Sequence, residues 1–192
     1  MRYIVDLSDW QEEVPWESLV SNGFTGVIIK LGERDYLCST LADKVAQAST
    51  HGLSVGFYYY SHALSEPEAT HEAEWVAYEI QVNYGLEPEL GIWFDYEDPS
   101  ILDSGVDMTT ICNTFVNRAH ELGYSQVGIY SSYNWLTNYI RVSDLGNVPL
   151  WVAQYNSQDD FSLENPSANV HLWQFTDKFS EELPYDASVL YE

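Results

Sequence analysis

The feature that most constrains this chain is a rhythm. Five times in succession, a short apolar run rich in β-branched and aromatic residues is followed by a segment of helical periodicity. Tyr3–Asp6 (YIVD) leads to PWESLVSNG, which opens on Pro15 and stops before Gly23. Gly26–Leu31 (GVIIKL) leads to STLADKVAQASTHG, capped at Ser39 or Thr40 and ended by Gly52. SVGFYYYS leads to the longest helix, Ser65 to about Tyr84, with acidic residues in its first turn where the helix dipole favours them. GIWFD is followed by a helix over Thr109–Leu122, and VGIYS (Val127–Ser131) by a shorter one in YNWLTNYI. Then the rhythm breaks. Pro149–Tyr155, Val170–Thr176 and Ala187–Tyr191 read as strands joined by polar, Pro-containing loops with no room for good helices.

This order predicts an α/β fold: an irregular TIM-like barrel of five βα units followed by about three strands with few helices. A regular eightfold barrel typically takes ~250 residues, so shedding helices is what would let 192 residues close. An open doubly wound sheet is the competing architecture, but no Gly-rich phosphate loop follows the first strand. With no repeat, linker or low-complexity tract, residues 1–192 read as one domain.

The fourth strand ends in an unusual way. GIWFDYEDPS passes from an apolar run straight into Asp95, Glu97 and Asp98. Residues two apart on a strand share a face, ~6.6 Å apart along the chain, so Asp95 and Glu97 face together while Tyr96 turns away. The C-terminal ends of barrel strands are where active sites are built. Two close carboxylates repel, which holds a proton on the pair near neutrality when the site is partly dry. A protonated acid beside an ionised one suits cleavage of a glycosidic bond, with Glu97 as the acid and Asp95 as the stabiliser of positive charge. A solvated acidic loop is the plain alternative in a chain this rich in acids. The other strand ends add Asp6, Lys30, Tyr58, Tyr60, Tyr130, Trp151, Tyr155 and Trp173 to the same predicted rim. Aromatic faces there stack on sugar rings and their polar tips bond hydroxyls, although each alone is an ordinary core residue.

In order along the chain, DLSDWQ, VIIK, VGFYYYS, FDYED, GIYSS, LWVAQY and LWQFT resemble glycoside hydrolase family 25, the muramidases that include many phage endolysins. The resemblance covers nearly the whole chain. It implies the same irregular barrel, as a single catalytic domain that needs no metal or cofactor, cleaving the β-1,4 bond after N-acetylmuramic acid in bacterial peptidoglycan. By position Glu97 matches the family's general acid, Asp95 its charge-stabilising partner and Asp6 its first-strand aspartate. Asp186 in LPYDASVLY matches the aspartate beyond the WQ strand, with Asp177 the nearer but more loop-like choice. Three departures stand out: Glu12 replaces a frequent glycine, Tyr58–Tyr60 replace the usual YHF, and the ending around Asp186 is degenerate.

The charge balance narrows the partners. Seven basic and 30 acidic residues give −23, which repels phosphate backbones and anionic membranes, so no nucleic-acid or membrane partner is expected. The same charge repels anionic wall polymers, which makes a separate C-terminal wall-binding module physically sensible. MRYIVDLSDW has no apolar core or cleavage site, so the expectation is a monomeric protein made in the bacterial cytoplasm without a signal peptide, reaching the wall after release. Cys38 and Cys112 read as isolated buried thiols. HEAEW (His71–Trp75) carries Trp75 where a zinc-protease motif needs histidine, and reads as surface helix. His62 reads as a structural hydrogen-bonder. Two rival functions are a chitinase-like glycosidase, which would want an aspartate where Trp93 stands, and a glycan-binding barrel that has lost catalysis.

Overall fold

In a computed structural model, residues 2–85 and 87–191 are described. Strands β1 (Arg2–Leu7), β2 (Phe24–Glu33), β4 (Ser54–Tyr60), β5 (Ile92–Asp95), β6 (Val127–Ser132), β7 (Leu150–Ala153) and β8 (Val170–Thr176) run parallel. The last strand, β9 (Ala187–Leu190), runs antiparallel between β8 and β1, and the β1–β2 pairing closes the eight into a barrel. A two-residue strand, β3 (Tyr36–Leu37), hangs on the end of β2. Helices α1 (Trp16–Ser21), α2 (Leu41–Thr50), α3 (Glu66–Asn83), α4 (Met108–Glu121) and α5 (Tyr133–Asn138) follow the first five barrel strands. The expected irregular barrel of five βα units is therefore what forms.

Alternation divides the core in two. One face of the strands sends Ile4, Ile28, Trp93, Trp151 and Leu172 into the barrel, and these pack with Leu90 into a small inner core. The other face packs under the helices in a larger outer core that includes Val5, Ile29, Phe94 and Val152. The inner core is narrow because of its glycines. A Cβ on Gly128 would sit 2.5 Å from the Trp93 ring, and one on Gly56 would sit 2.8 Å from Leu90. The bulk of Trp93 and Leu90 fits only because these positions are bare, so the tryptophans fill the lower barrel and leave its upper end for polar groups.

The helix ends follow their sequence signals, with one exception. Ser65 caps α3 by accepting from the Glu68 N–H at 3.4 Å, and Glu68 reaches back to the Leu64 N–H at 2.7 Å. Asp107 caps α4 through the Thr109 and Thr110 N–H groups. Thr40 precedes α2 but makes no side-chain cap. Its hydroxyl donates instead to Asp9 at 2.6 Å, and Asp9 also accepts from the Ser39 and Thr40 N–H groups. That tie fastens the loop after β1 to the start of α2. A short helix, α6 (Asp160–Glu164), sits between β7 and β8, where the sequence suggested only loop. Asp159 caps it, accepting from Ser162 N–H at 3.0 Å. Cys38 and Cys112 are both buried as free thiols.

Candidate active site

A polar cavity of ≈ 190 Å³ opens where the parallel strands end. Asp6, Asp95, Glu97 and Asp186 line it, with Tyr58, Tyr130, Trp151, Tyr155 and Gln174. The three aspartates and the glutamate come from three places in the sequence, and strand direction explains the last one. Because β9 runs against its neighbours, it begins at the rim where they finish, and Asp186 directly precedes it. Asp186 rather than Asp177 therefore enters the cleft.

The central acids are held unequally. Asp95 ends β5, is 5% exposed, and keeps its Oδ1 buried without a hydrogen-bond partner among the described residues. Burial, and then the Glu97 charge, push its carboxyl well above the usual range, with Lys30 opposing. Glu97 is half-buried one step further out, and its Oε2 accepts from the Ser132 N–H at 3.1 Å. Burial raises its pKa as well, against that hydrogen bond. Between them Tyr96 turns outward into the helix layer, as the alternation requires. Its hydroxyl donates to the Ala63 carbonyl at 2.7 Å, and Ser131 Oγ donates to its carbonyl at 2.9 Å. These bonds clamp the backbone on which the pair sits.

In the second acid pair Asp6 is the better satisfied member. It is 8% exposed and lies beside Asp186, and its Oδ2 accepts from Gln174 Nε2 at 3.0 Å. Burial and the neighbouring Asp186 raise the Asp6 pKa well above its ordinary value. Asp186 is pushed up to about 6, mainly by burial. Tyr58 and Tyr130 are raised by burial and by the surrounding carboxylates, so both phenols stay protonated through neutral pH.

Of the predicted sugar-binding residues, Tyr58, Tyr130, Trp151 and Tyr155 line the cavity. Trp151 is its floor, fully buried against Tyr130 and tied through its indole N–H to Ser188 Oγ at 2.9 Å. Lys30, Tyr60 and Trp173 are outside its lining. Lys30 donates to Glu33 at 2.6 Å and lies over the Tyr60 ring, 5.3 Å from its centroid. Trp173 faces away because its strand alternates Leu172 and Gln174 inward; its indole N–H donates to the Gln154 carbonyl at 2.8 Å. Sequence reasoning missed Gln174, one position beside the tryptophan it favoured. It also read HEAEW as surface, whereas Glu72 is buried. Glu72 accepts from Ser61 Oγ at 2.6 Å and from the His62 N–H at 3.2 Å, and burial pushes its carboxyl up to about 7. His62 in turn bonds Asp98 through Nδ1, as a hydrogen-bonder at the rim. Among the described residues, no three His, Cys, Asp or Glu side chains are grouped to hold a metal.

Residues 5–182 match the model of glycosyl hydrolases family 25. No curated protein matches the sequence. Among solved structures, the modular autolysin LytC from Streptococcus pneumoniae superposes with a TM-score of 0.83 at 24% identity, covering 98% of this chain and 46% of that one. The chain thus spans less than half the length of that autolysin. The catalytic domain of endolysin ply40 from bacteriophage P40 of Listeria monocytogenes gives 0.79 at 23% identity, covering 100% and 94%. A muramidase from Trichobolus zukalii gives 0.78 at 21%, covering 100% and 94%. These likenesses show a shared barrel, and the match over residues 5–182 goes further: the chain belongs to glycosyl hydrolases family 25.

Proposed function

We propose that this domain hydrolyses peptidoglycan, cutting the β-1,4 bond between N-acetylmuramic acid and N-acetylglucosamine. The observation that carries the reading is the enclosed Asp95/Glu97 pair in the rim cavity of a family 25 barrel. Glu97, nearer the mouth, gives its proton to the glycosidic oxygen as the bond to the anomeric carbon breaks. Asp95, on the floor side, meets the positive charge that develops there. It acts either directly or by orienting the 2-acetamido oxygen that attacks the same carbon, and close carboxyls suit net retention by both routes. Water then completes hydrolysis, and Glu97 recovers its proton from it.

In the free protein burial is greater at Asp95, and the Glu97 charge acts on it directly, so the two groups titrate as a unit rather than as an acid and a separate base. Positive charge at the anomeric carbon favours the arrangement with Asp95 ionised and the proton on Glu97. Lys30 pulls the same way. Tyr58, Tyr130 and Tyr155 supply hydroxyls to the sugar from the walls. The autolysin LytC has been solved with a synthetic peptidoglycan ligand, and peptidoglycan is the substrate we assign here. We further propose a wall-cutting role of endolysin or autolysin type after release from the bacterial cytoplasm, with a separate module to hold this domain of −23 charge against anionic wall polymers.

Digestion of purified peptidoglycan, followed by mass spectrometry of borohydride-reduced products, tests the bond. New reducing ends on muramic acid are expected. Reducing ends on N-acetylglucosamine would keep a glycosidase and overturn the bond assigned, and no cleavage by folded protein would favour a glycan-binding barrel.

A further inference from the structure

Gln174 is 2% exposed, polar, and set at the meeting point of the cleft. Its Nε2 donates to Asp6 Oδ2 at 3.0 Å. Its Oε1 accepts from the Tyr130 hydroxyl at 3.0 Å and the Tyr155 hydroxyl at 3.2 Å. One side chain therefore joins β1, β6, β8 and the loop after β7, on both flanks of the cavity. An amide has a donor end and an acceptor end that do not interchange, whereas hydroxyls and carboxyls can play either part.

We propose that Gln174 is a positioning residue that sets the direction of every hydrogen bond around the Asp6 side of the cleft. Its carbonyl takes the protons of Tyr130 and Tyr155, so both phenol oxygens are left to accept from the substrate. The donors a glycan of N-acetylated sugars offers are its hydroxyls and its acetamide N–H, and such oxygens suit them. At the other end, the amide N–H holds one Asp6 oxygen as an acceptor. A carboxyl oxygen carrying a proton accepts poorly, so a proton on Asp6 is directed to its other oxygen. This inference rests on the glycosidase reading of the cleft. The charged and titratable groups facing Gln174 are Asp6 and Asp186, the phenols of Tyr58, Tyr130 and Tyr155, and beyond them Asp95, Glu97 and Asp177.

Two substitutions test it. Gln174→Met keeps the volume and removes both ends of the amide; kcat is expected to fall by ~10-fold or more at every pH. Gln174→Glu is the sharper test. Ionised, the introduced carboxyl has no proton for Asp6; protonated, it donates to Asp6 with one oxygen and accepts from the tyrosines with the other. Its kcat/KM relative to wild type is therefore expected to rise by ~10-fold or more between pH 8 and pH 5. A loss from misfolding or crude repacking would not reverse with acid. A ratio flat in pH, or Gln174→Met within about twofold of wild type, would overturn the proposal. An arm without substrate separates this inference from the proposed function. Carbon-13 NMR titration of the Asp6 and Asp186 carboxyls is expected to show Asp6 moved to higher pH in Gln174→Met, because a hydrogen bond to its ionised form is gone. An unchanged titration would overturn the role of Gln174 even if the wild type proves to be a muramidase, and a moved one supports it even if it does not.

Discussion

Two pairs of carboxyls share one small cavity, yet they are built in opposite ways. Asp6 lies beside Asp186 and takes a hydrogen bond from Gln174, so one of its oxygens is answered by protein. The Asp95/Glu97 pair has a single backbone N–H on Glu97, and one oxygen of Asp95 is buried with no partner among the described residues. A buried carboxyl held by protein is architecture, whereas an unsatisfied one is a cost the fold tolerates for a purpose. The difference supports the chemistry proposed for Asp95 and Glu97 and a positioning role for Asp6 and Asp186. A second contrast makes the same point. The larger cavity, ≈ 710 Å³ at the opposite end of the barrel, has Glu89 as the one acid in its lining among the described residues. Volume does not mark the site; the placement of titratable groups does.

The largest expected effect is on turnover. Glu97→Gln should fold like wild type and lose activity by on the order of 10²-fold or more, measured on purified peptidoglycan. Activity near normal would dissolve the contrast between the pairs. Asp6→Asn and Asp186→Asn should lose less, ~10-fold, because their residues position rather than react. Equal losses at all four acids would erase the division of labour.

The next effect separates the pairs by stability. Asp95→Asn removes a carboxyl that burial penalises when ionised, and should raise the melting temperature at pH 8, by ~2–4 °C for each kcal/mol gained. Asp6→Asn relieves burial and the Asp186 charge too, but it weakens the hydrogen bond from Gln174, and should raise it less. Thermal unfolding of the two variants side by side decides, and a larger gain from Asp6→Asn would contradict the account.

The smallest effect is a pH dependence outside the cleft. Glu72 has a folded pKa of about 7, above its unfolded value near 4.5, so the folded state binds the proton more tightly. Stability from this group is fully present below pH ~4.5 and is lost as pH rises through 7, by on the order of 2–3 kcal/mol. Glu72→Gln should flatten the melting temperature between pH 5 and pH 8. An unchanged slope would mean that Glu72 is not the group responsible.

The barrel was legible because its signals are local and repeated. Strands such as GVIIKL and VGFYYYS carry their own propensity, and Gly23 and Gly52, both at positive φ, stop their helices as read. Asp95 and Glu97 were legible because period-2 alternation needs no partner to be seen. What escaped depends on tertiary contact. Two residues of β3 and five of α6 are too short for a period to register. Glu72 sits on a helix rich in acids, and only the turn holding Ser61 and His62 explains its burial. Gln174 was hidden by chemistry that favours tryptophan for sugars. The same alternation, anchored on buried Leu172, turns Trp173 out and Gln174 in.

The central claim is that Glu97 is the proton donor to the leaving sugar. The direct test compares Glu97→Gln with wild type on peptidoglycan and on a synthetic muramyl glycoside whose dinitrophenolate leaving group needs no proton. The account predicts a loss of on the order of 10²-fold or more on the first substrate and a loss at least ~10-fold smaller on the second. Equal losses on both would contradict it, and would move the role of Glu97 from proton transfer to the binding or stabilisation of the sugar.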